Sequence, residues 1–212
     1  RTRMLIINSP ANPTGAVYSQ ADLRQIADLA AKRDLLVISD EIYNFFCYDE
    51  PFVSMASLYE NTLLLRGFSK SYAMTGWRIG WCTGPKTVLD KMTMLQQYSF
   101  VCAPSMAQAG ALAALDLDMT AEVEAYRRKR DMVQVALGPA LGLVKPGGAF
   151  YAFPPAPGGD ANAFVTRAIE NNVLIIPGNV FSTRNTHFRI SYATTDEKLA
   201  QGLEILVKLA RS

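Results

Sequence analysis

Short runs of apolar residues alternate with segments of helical periodicity in the first half of the chain. Each run has four or five residues, mostly Leu, Ile and Val, which is typical of strands buried on both faces of a parallel sheet. The runs predict strands at residues 4–7, 35–39, 62–65 and 79–83. Between the first two, Ser19 is a candidate N-cap for an amphipathic helix over residues 20–33. This strand–helix–strand order predicts an α/β fold with a parallel sheet.

From residue 86 onward the apolar positions first recur at helical spacing and then alternate between strand and helix patterns. Helices are predicted at 86–98, 105–116 and 120–137, the last ending at Gly138-Pro139. Strands at 148–153, 173–176 and 188–192, with helices at 161–171 and 196–210, predict a small α+β layer. We therefore predict two domains, residues 1–119 and 120–212. The charged run Arg127-Arg128-Lys129-Arg130-Asp131 is interpreted as a solvated helix face.

Composition and charge exclude several classes of partner. The chain of 212 residues carries 21 Lys and Arg against 19 Asp and Glu, a net charge of +2, without a basic stripe. This balance does not favour a nucleic-acid partner. No apolar run approaches the roughly 20 residues of a membrane span, so no membrane partner is expected. Cys47, Cys82 and Cys102 have no metal-ligand or pairing pattern, which predicts free thiols, no metal site and a cytoplasmic location.

The segment 67–80 carries the strongest candidate chemistry. Lys70 follows the buried run 62–65 and lies among small residues. Packing against a lysine lowers its pKa and frees its amine to attack a carbonyl, whereas a loop lysine in water stays an inert ammonium. Arg78, between Gly76 and Gly80, offers a forked donor that suits phosphate. This segment by itself leaves both interpretations of Lys70 open.

Polar residues also follow two other predicted strands. Asn12, Asp40 and Lys70 come after three different strands, and ligands of parallel sheets bind beyond the carboxyl ends of the strands. Asp40 is a candidate partner for a protonated heterocyclic nitrogen, although it could equally cap a helix or pair with a surface lysine. Tyr43 and Asn12 offer donors to the same ligand. A lysine nucleophile, an acid, an arginine such as Arg78 and two polar donors together indicate a pyridoxal phosphate site.

Four motifs then make a resemblance visible. The sequence resembles the class I/II aminotransferases, of the fold-type-I pyridoxal phosphate enzymes, through motifs that stand in the family's order: Asn12-Pro13-Thr14-Gly15, Ser39-Asp40-Glu41-Ile42-Tyr43, the lysine segment 67–80, and Phe188-Arg189-Ile190-Ser191. The resemblance implies that residues 1–119 are the carboxyl-terminal part of a three-layer, cofactor-binding large domain with a partial parallel sheet. Residues 120–212 then form a small α+β domain that includes the interdomain helix. It also implies a chain that corresponds to the carboxyl-terminal half of such an enzyme, without the phosphate-binding turn of the first half.

The resemblance assigns cofactor roles to four of these residues. Lys70 would hold pyridoxal 5'-phosphate as a Schiff base and later carry the substrate proton. Asp40 would keep the ring nitrogen protonated. Tyr43 and Asn12 would donate hydrogen bonds to the phenolic oxygen of the ring.

Three further residues would bind anions. Arg78 would bind the cofactor's phosphate, and Ser69 would supply a hydroxyl to it, since Gly67 stands where some relatives have a serine. Arg189 would grip the α-carboxylate of the substrate with two parallel hydrogen bonds, and Asn12 would also bind the substrate.

The activity that the resemblance implies is transamination between an amino acid and a 2-oxo acid, like that of aspartate aminotransferase, in amino acid metabolism and biosynthesis. A homodimer with a site shared across its interface is expected, and the loop 98–104 is a candidate for reaching the neighbouring site. A pyridoxal phosphate-dependent C–S lyase or decarboxylase would use the same lysine and aspartate. A non-catalytic pyridoxal phosphate-sensing domain of a transcription regulator is the other alternative. The isolated chain is expected to be weakly active or inactive.

Overall fold

The computed structural model describes residues 1–211 and divides the chain into two compact units. Unit 1 comprises Arg1–Pro10 and Val17–Thr120. Unit 2 comprises Ala11–Ala16 and the chain from Ala121 onward. The division lies one residue from the predicted boundary at 119/120 and differs from it by assigning Ala11–Ala16 to unit 2, where the carbonyl of Gly15 accepts a hydrogen bond from the Gly148 amide at 2.9 Å.

Unit 1 contains a four-stranded sheet in the order β1-β2-β3-β4, with β1 Met4–Asn8, β2 Leu36–Asp40, β3 Thr62–Gly67 and β4 Gly80–Thr83. The first three strands are parallel, as their continuous apolar runs predict. The prediction of a parallel strand is wrong for β4, which pairs with β3 in the antiparallel sense. The connection before β4 holds only the one-turn helix α2 (Phe68–Ser71) and a 3-10 turn. Such a short connection reverses the chain, whereas a parallel return requires a longer crossover.

Helix α1 (Gln20–Lys32) packs on this sheet, and its predicted N-cap is confirmed. The Ser19 hydroxyl accepts a hydrogen bond from the Asp22 amide at 3.1 Å, and the Asp22 carboxylate accepts one from the Ser19 amide at 3.1 Å. This capping box satisfies donors that the first turn would otherwise leave unpaired. The apolar face of α1 buries Leu23, Ala27 and Ala30 in one cluster with side chains of β1 and β2. This packing covers one face of the sheet and fixes the strands whose ends carry the candidate residues.

The remaining helices of unit 1 differ in how much they bury. Helix α4 (Ser105–Ala114) buries three alanines, two of which, Ala111 and Ala114, form a cluster with Phe68. Helix α3 (Lys86–Gln97) has no fully buried residue. No helix within residues 1–211 combines the length and the apolar character needed to cross a bilayer.

Unit 2 has a small antiparallel sheet in the order β5-β7-β6, with β5 Tyr151–Ala152, β6 Ile176–Pro177 and β7 Phe188–Ser191. Its helices are α5 Thr120–Leu141, α6 Ala161–Glu170 and α7 Asp196–Arg211. Helix α5 runs past the predicted stop at Gly138-Pro139, because the Gly142 amide still closes the last turn on the Gly138 carbonyl at 2.9 Å. Together the two units confirm the predicted α/β class, a partly parallel sheet followed by a small α+β layer.

The charged run of α5 is only partly a solvated face. Arg127 is exposed and pairs with Glu124 at 2.8 Å, as predicted for a solvent-facing position. The prediction is wrong for Arg130, which is 1% exposed. Its Nε donates to Asp131 at 2.7 Å and its Nη1 to the Pro146 carbonyl at 2.8 Å. These bonds offset the cost of removing the guanidinium from water, and they join α5 to the loop before β5.

Candidate functional site

Lys70 lies in α2, directly beyond the carboxyl end of β3. The segment that follows folds back on its own start. The Met74 amide donates to the Phe68 carbonyl at 3.2 Å, and the Phe68 amide donates to the Ile79 carbonyl at 3.3 Å. Lys70 is half-buried, and within residues 1–211 its amine has no hydrogen-bond or ion-pair partner. The fold therefore holds the backbone of this lysine firmly and leaves its amine available to a ligand.

Close packing around Gly67 explains the first glycine of the lysine segment. A Cβ at this position would lie 2.9 Å from Ile42 Cδ1 and 3.3 Å from the Ile79 carbonyl oxygen. Ile42 belongs to the turn after β2, so the lysine segment and that turn touch at Gly67. The Ser71 hydroxyl also lies 3.5 Å from the Asn44 side-chain oxygen. The structure thus brings the Asp40 motif and the lysine motif together at one edge of the sheet.

Asp40 is the last residue of β2, which lies between β1 and β3. It is paired in register with Leu65 of β3. Its Oδ1 accepts a hydrogen bond from the Ile42 amide at 3.2 Å, and within residues 1–211 no donor reaches Oδ2. Burial raises the pKa of the Asp40 carboxyl, the Ile42 hydrogen bond lowers it in part, and the charge of Glu41 raises it further. A partly desolvated carboxyl of this kind is stabilised in its ionised form by a cationic donor.

Tyr43 stands in the turn that follows Asp40. The Asn44 amide donates to the Glu41 carbonyl at 3.0 Å, and the Phe46 amide donates to the Tyr43 carbonyl at 2.8 Å. These bonds define a compact turn in which Tyr43 is 4% exposed. The predicted residues Asp40 and Tyr43 are therefore held by one short backbone unit.

Ser69 and Arg78 lie close to each other along the folded lysine segment. The Thr75 hydroxyl donates to the Ser69 carbonyl at 2.8 Å, and Arg78 Nη1 donates to the Thr75 carbonyl at 3.1 Å. Arg78 is exposed and has the left-handed backbone conformation, with φ of 52°. Within the part of the chain that the structure describes, its guanidinium pairs with no carboxylate. A guanidinium that pairs with no carboxylate, beside a segment that carries hydroxyl groups, suits an incoming phosphate.

Arg189 and Asn12 are brought together in unit 2. Arg189 lies on β7, the central strand of the small sheet, and its Nη1 donates to Asn12 Oδ1 at 2.9 Å. The guanidinium lies over the rings of Tyr151 and Phe181, with Cζ 4.7 Å and 4.8 Å from their centroids. Its Nε is buried and has no hydrogen-bond partner within residues 1–211. Two aromatic faces and one amide therefore fix the plane of the guanidinium.

The loop that carries Asn12 is shaped by Gly15. Gly15 has φ of +69°, and its amide donates to the Ala11 carbonyl at 2.8 Å. A Cβ there would lie 2.6 Å from Pro146 Cβ and 2.7 Å from the Tyr151 carbonyl oxygen. Only glycine fits this position, so the Asn-Pro-Thr-Gly motif describes a loop packed on the segment before β5. The Asn12-Pro13 and Ser9-Pro10 bonds are both cis.

Sequence reasoning missed the structural importance of Glu41. Its side chain is 1% exposed and pairs with Arg66 at 2.8 Å. The available signal was an acid directly after a buried strand, with an arginine near the end of the next strand. Because that arginine lies among apolar residues in sequence, the apolar pattern hides it.

The three cysteines are free thiols, and burial raises the pKa of Cys47 to about 12. A thiol with that pKa stays protonated at neutral pH and is a poor nucleophile. Cys47 therefore adds no second nucleophile to Lys70.

Comparison with known proteins places this geometry in a family. The profile of aminotransferase class I and II matches residues 1–206. The aspartate/prephenate aminotransferase of Thermus thermophilus is 41% identical over 96% of this chain and 55% of its own length. Aromatic-amino-acid aminotransferase 2 of Thermococcus litoralis is 38% identical over 100% of this chain and 58% of its own. The chain thus spans a little over half the length of these relatives.

Solved structures agree with the sequence comparison. The crystal structure of aspartate aminotransferase from Thermotoga maritima superposes with a TM-score of 0.94 at 33% identity, covering 100% of this chain and 57% of that one. A likeness of this extent confirms the fold-type-I architecture that the motifs imply. On the profile match, the sequence relatives and the shared fold, this chain belongs to the class I and II aminotransferase family.

Proposed function

We propose that this chain takes part in pyridoxal phosphate-dependent transamination between an amino acid and a 2-oxo acid. Membership of the family supports the reaction class, and the names of the relatives, which include aspartate and aromatic-amino-acid aminotransferases, support amino acids as substrates. The activity is a proposal because the chain spans only 55% to 58% of the relatives' length.

One observation carries the proposal. Asp40 ends β2 and Lys70 follows the neighbouring parallel strand β3, so both lie at the same edge of the sheet. One is a half-buried carboxyl with an open oxygen, and the other is a half-buried amine without a partner within residues 1–211. These are the groups that a pyridine nitrogen and an aldehyde require, so the residues present fit pyridoxal phosphate. A surface acid and a surface lysine would instead be fully hydrated.

In the proposed reaction, three residues of unit 1 would have separate roles. When bound, pyridoxal phosphate supplies the electron sink for the negative charge that develops at the substrate's Cα. Asp40 would hold the proton on the ring nitrogen, since a carboxylate short of donors is stabilised by a cationic N–H. Lys70 would be the attachment residue, and its amine would then take the proton from Cα and return it. Tyr43 would donate its hydroxyl to the phenolic oxygen of the ring.

Anion binding would fall to the two arginines. Arg78 would bind the phosphate with its guanidinium, which pairs with no carboxylate within residues 1–211, and Ser69 would be a nearby hydroxyl donor. Arg189 would bind the α-carboxylate, because a guanidinium held between Tyr151 and Phe181 keeps its fork in one plane. Asn12, which accepts from Arg189, would assist at the same carboxylate. Its contact with the phenolic oxygen stays a prediction.

The direct test is labelling of the 212-residue chain with pyridoxal phosphate. We expect a visible absorption band on mixing, and borohydride reduction followed by peptide mapping should place the pyridoxyl group on Lys70. The variant Lys70→Ala should lose the band. Lys91→Ala, which removes an exposed lysine from α3, should keep it. Equal labelling of many lysines, or an unchanged band in Lys70→Ala, would contradict the proposal.

We also propose association into a homodimer in the cytoplasm. Support comes from exposed apolar side chains of α3, α4 and the loop between them, among them Leu95, Tyr98, Phe100, Met106 and Leu112. Sedimentation equilibrium on the purified chain tests this, and a monomer at all accessible concentrations would argue against it. The cytoplasmic location stays a prediction.

A further inference from the structure

The side chain of Glu41, the residue after Asp40, is almost completely buried. It is 1% exposed, and its carboxylate accepts five hydrogen bonds: from Ser39 Oγ at 3.0 Å, Ser54 Oγ at 2.8 Å, the Met55 amide at 3.1 Å, Arg66 Nε at 3.1 Å and Arg66 Nη2 at 2.8 Å. Burying a carboxylate is strongly unfavourable unless it is paired and fully hydrogen-bonded. Glu41 meets both conditions, so its side chain is fixed in place.

Its partner Arg66, on β3, is also held on several sides. Its Nε and Nη2 both donate to Glu41 Oε2, and the guanidinium lies 5.6 Å from the centroid of Phe52 and 5.8 Å from that of Trp81. Arg66 also lines a cavity of about 110 Å³ together with Phe68 and other residues of the lysine segment. The ion pair therefore bridges β2 and β3 at the point where the Asp40 and Lys70 motifs begin.

The backbone of Glu41 completes this bridge. Its amide donates to the Leu65 carbonyl at 2.9 Å, and its carbonyl accepts from the Asn44 amide at 3.0 Å. One residue further, the Ile42 amide donates to Asp40 Oδ1 at 3.2 Å. Because its side chain and its backbone are both bonded to neighbouring segments, Glu41 anchors the turn whose Ile42 amide donates to the Asp40 carboxyl.

We propose that the Glu41–Arg66 ion pair positions Asp40, both by fixing the turn that holds its carboxyl and by setting the charge that this carboxyl faces. The inference rests on the proposed function, in which Asp40 meets the ring nitrogen of the cofactor. It adds Glu41 and Arg66 as positioning residues that touch neither cofactor nor substrate.

The charges predict opposite effects for the two partners. The negative charge of Glu41 raises the pKa of Asp40, and we expect the positive charge of Arg66, whose Nη2 lies 2.8 Å from Glu41 Oε2, to oppose that effect. Removing only the negative charge leaves an unopposed cation and lowers the pKa of Asp40. Removing only the positive charge leaves an unopposed buried anion and raises the pKa of Asp40. If each variant only lost packing, the pKa of Asp40 would not shift in opposite directions in the two variants.

The test is residue-resolved NMR titration of the Asp40 side-chain carboxyl carbon in the chain without cofactor. Glu41→Gln should lower the pKa of Asp40, and Arg66→Met should raise it. The pKa of Asp40 in Arg66→Lys should lie between its values in Arg66→Met and in the wild type, because lysine keeps the positive charge but lacks the two fixed donors of the guanidinium. In Glu41→Gln and Arg66→Met, amide hydrogen exchange at Ile42 should also become faster. The control variants Glu124→Gln and Arg127→Met each break an exposed arginine–glutamate pair in unit 2. They should leave the pKa of Asp40 unchanged.

A double variant keeps the test decisive if Arg66→Met fails to fold. Replacing both partners removes the unpaired charge, so Glu41→Gln with Arg66→Met should fold, and Asp40 should have a higher pKa there than in Glu41→Gln alone. Shifts of the same sign in both single variants, or no shift at all, would overturn the inference. Because the titration needs no cofactor, failure of Lys70 labelling would count against the proposed function and not against this ion pair.

Discussion

Replacing Gly15 with alanine should be among the most damaging single-methyl changes in this chain. Gly15 has φ of +69°, and the new Cβ would lie 2.6 Å from Pro146 Cβ, 2.7 Å from the Tyr151 carbonyl oxygen and 3.1 Å from that of Gly148. A proline ring and two backbone oxygens cannot rotate away as a flexible side chain would. The loop that carries Asn12 must therefore move, or the segment before β5 must.

Gly142 provides a matched control for the magnitude. It has φ of +68°, and an added Cβ meets nothing within 4 Å. Gly142→Ala therefore isolates the left-handed backbone term, about 1–2 kcal/mol for an L-residue. Gly15→Ala adds overpacking, worth about 1–3 kcal/mol, for a total of roughly 2–5 kcal/mol. In a chain of this size each kcal/mol corresponds to about 2–4 °C in Tm.

Urea unfolding followed by far-UV circular dichroism would measure both variants. We expect the midpoint for Gly15→Ala to fall well below that for Gly142→Ala, with the slope unchanged. The Arg189 side-chain NMR signals should shift in Gly15→Ala only, because Arg189 donates to Asn12 at 2.9 Å. Equal losses in the two variants would show that the close contacts at Gly15 relax at no cost, which would refute the reasoning.

Two further predictions concern the sheet edge of unit 1. Gly67→Ser should destabilise the chain by about 1–3 kcal/mol. In the double variant, Ile42→Val should relieve part of that loss, since it deletes the Cδ1 atom that an added Cβ would meet at 2.9 Å. Unfolding free energies that simply add in the double variant would contradict this. Because the folded-state pKa of Asp40 is raised above 3.8, the wild type loses stability as the pH rises through that pKa, so Asp40→Asn should gain stability relative to it over that range. Asp22→Asn should show the opposite trend, because the Ser19 hydrogen bonds lower the pKa of Asp22, and equal slopes for the two variants would argue against the assignment.

The sequence predicted the parts of the fold that depend on local pattern. Continuous apolar runs located β1, β2 and β3, and a serine before a periodic segment located the start of α1. Because parallel strands end at a common edge, the same pattern placed Asp40 and Lys70 together before any coordinates were known. The direction of β4 was beyond its reach, since a run of apolar residues reads the same in both directions. Strands β5 and β6 have two residues each, fewer than the predicted 148–153 and 173–176, because an apolar run does not show how many of its residues pair with a neighbouring strand.

Buried charges explain most of what the pattern missed at the candidate residues. Hydropathy assigns Glu41 and Arg130 to the surface, yet each is 1% exposed. Glu41 holds the turn after Asp40, and Arg130 holds the carbonyl of Pro146, whose ring packs against Gly15 in the Asn12 loop. Replacing a buried ion pair with apolar side chains is often neutral or stabilising, so stability alone does not account for such groups. What a fully hydrogen-bonded ion contributes and an apolar side chain does not is a fixed direction. Glu41 orients the turn after Asp40, and Arg130 orients the Pro146 segment on which the Asn12 loop packs.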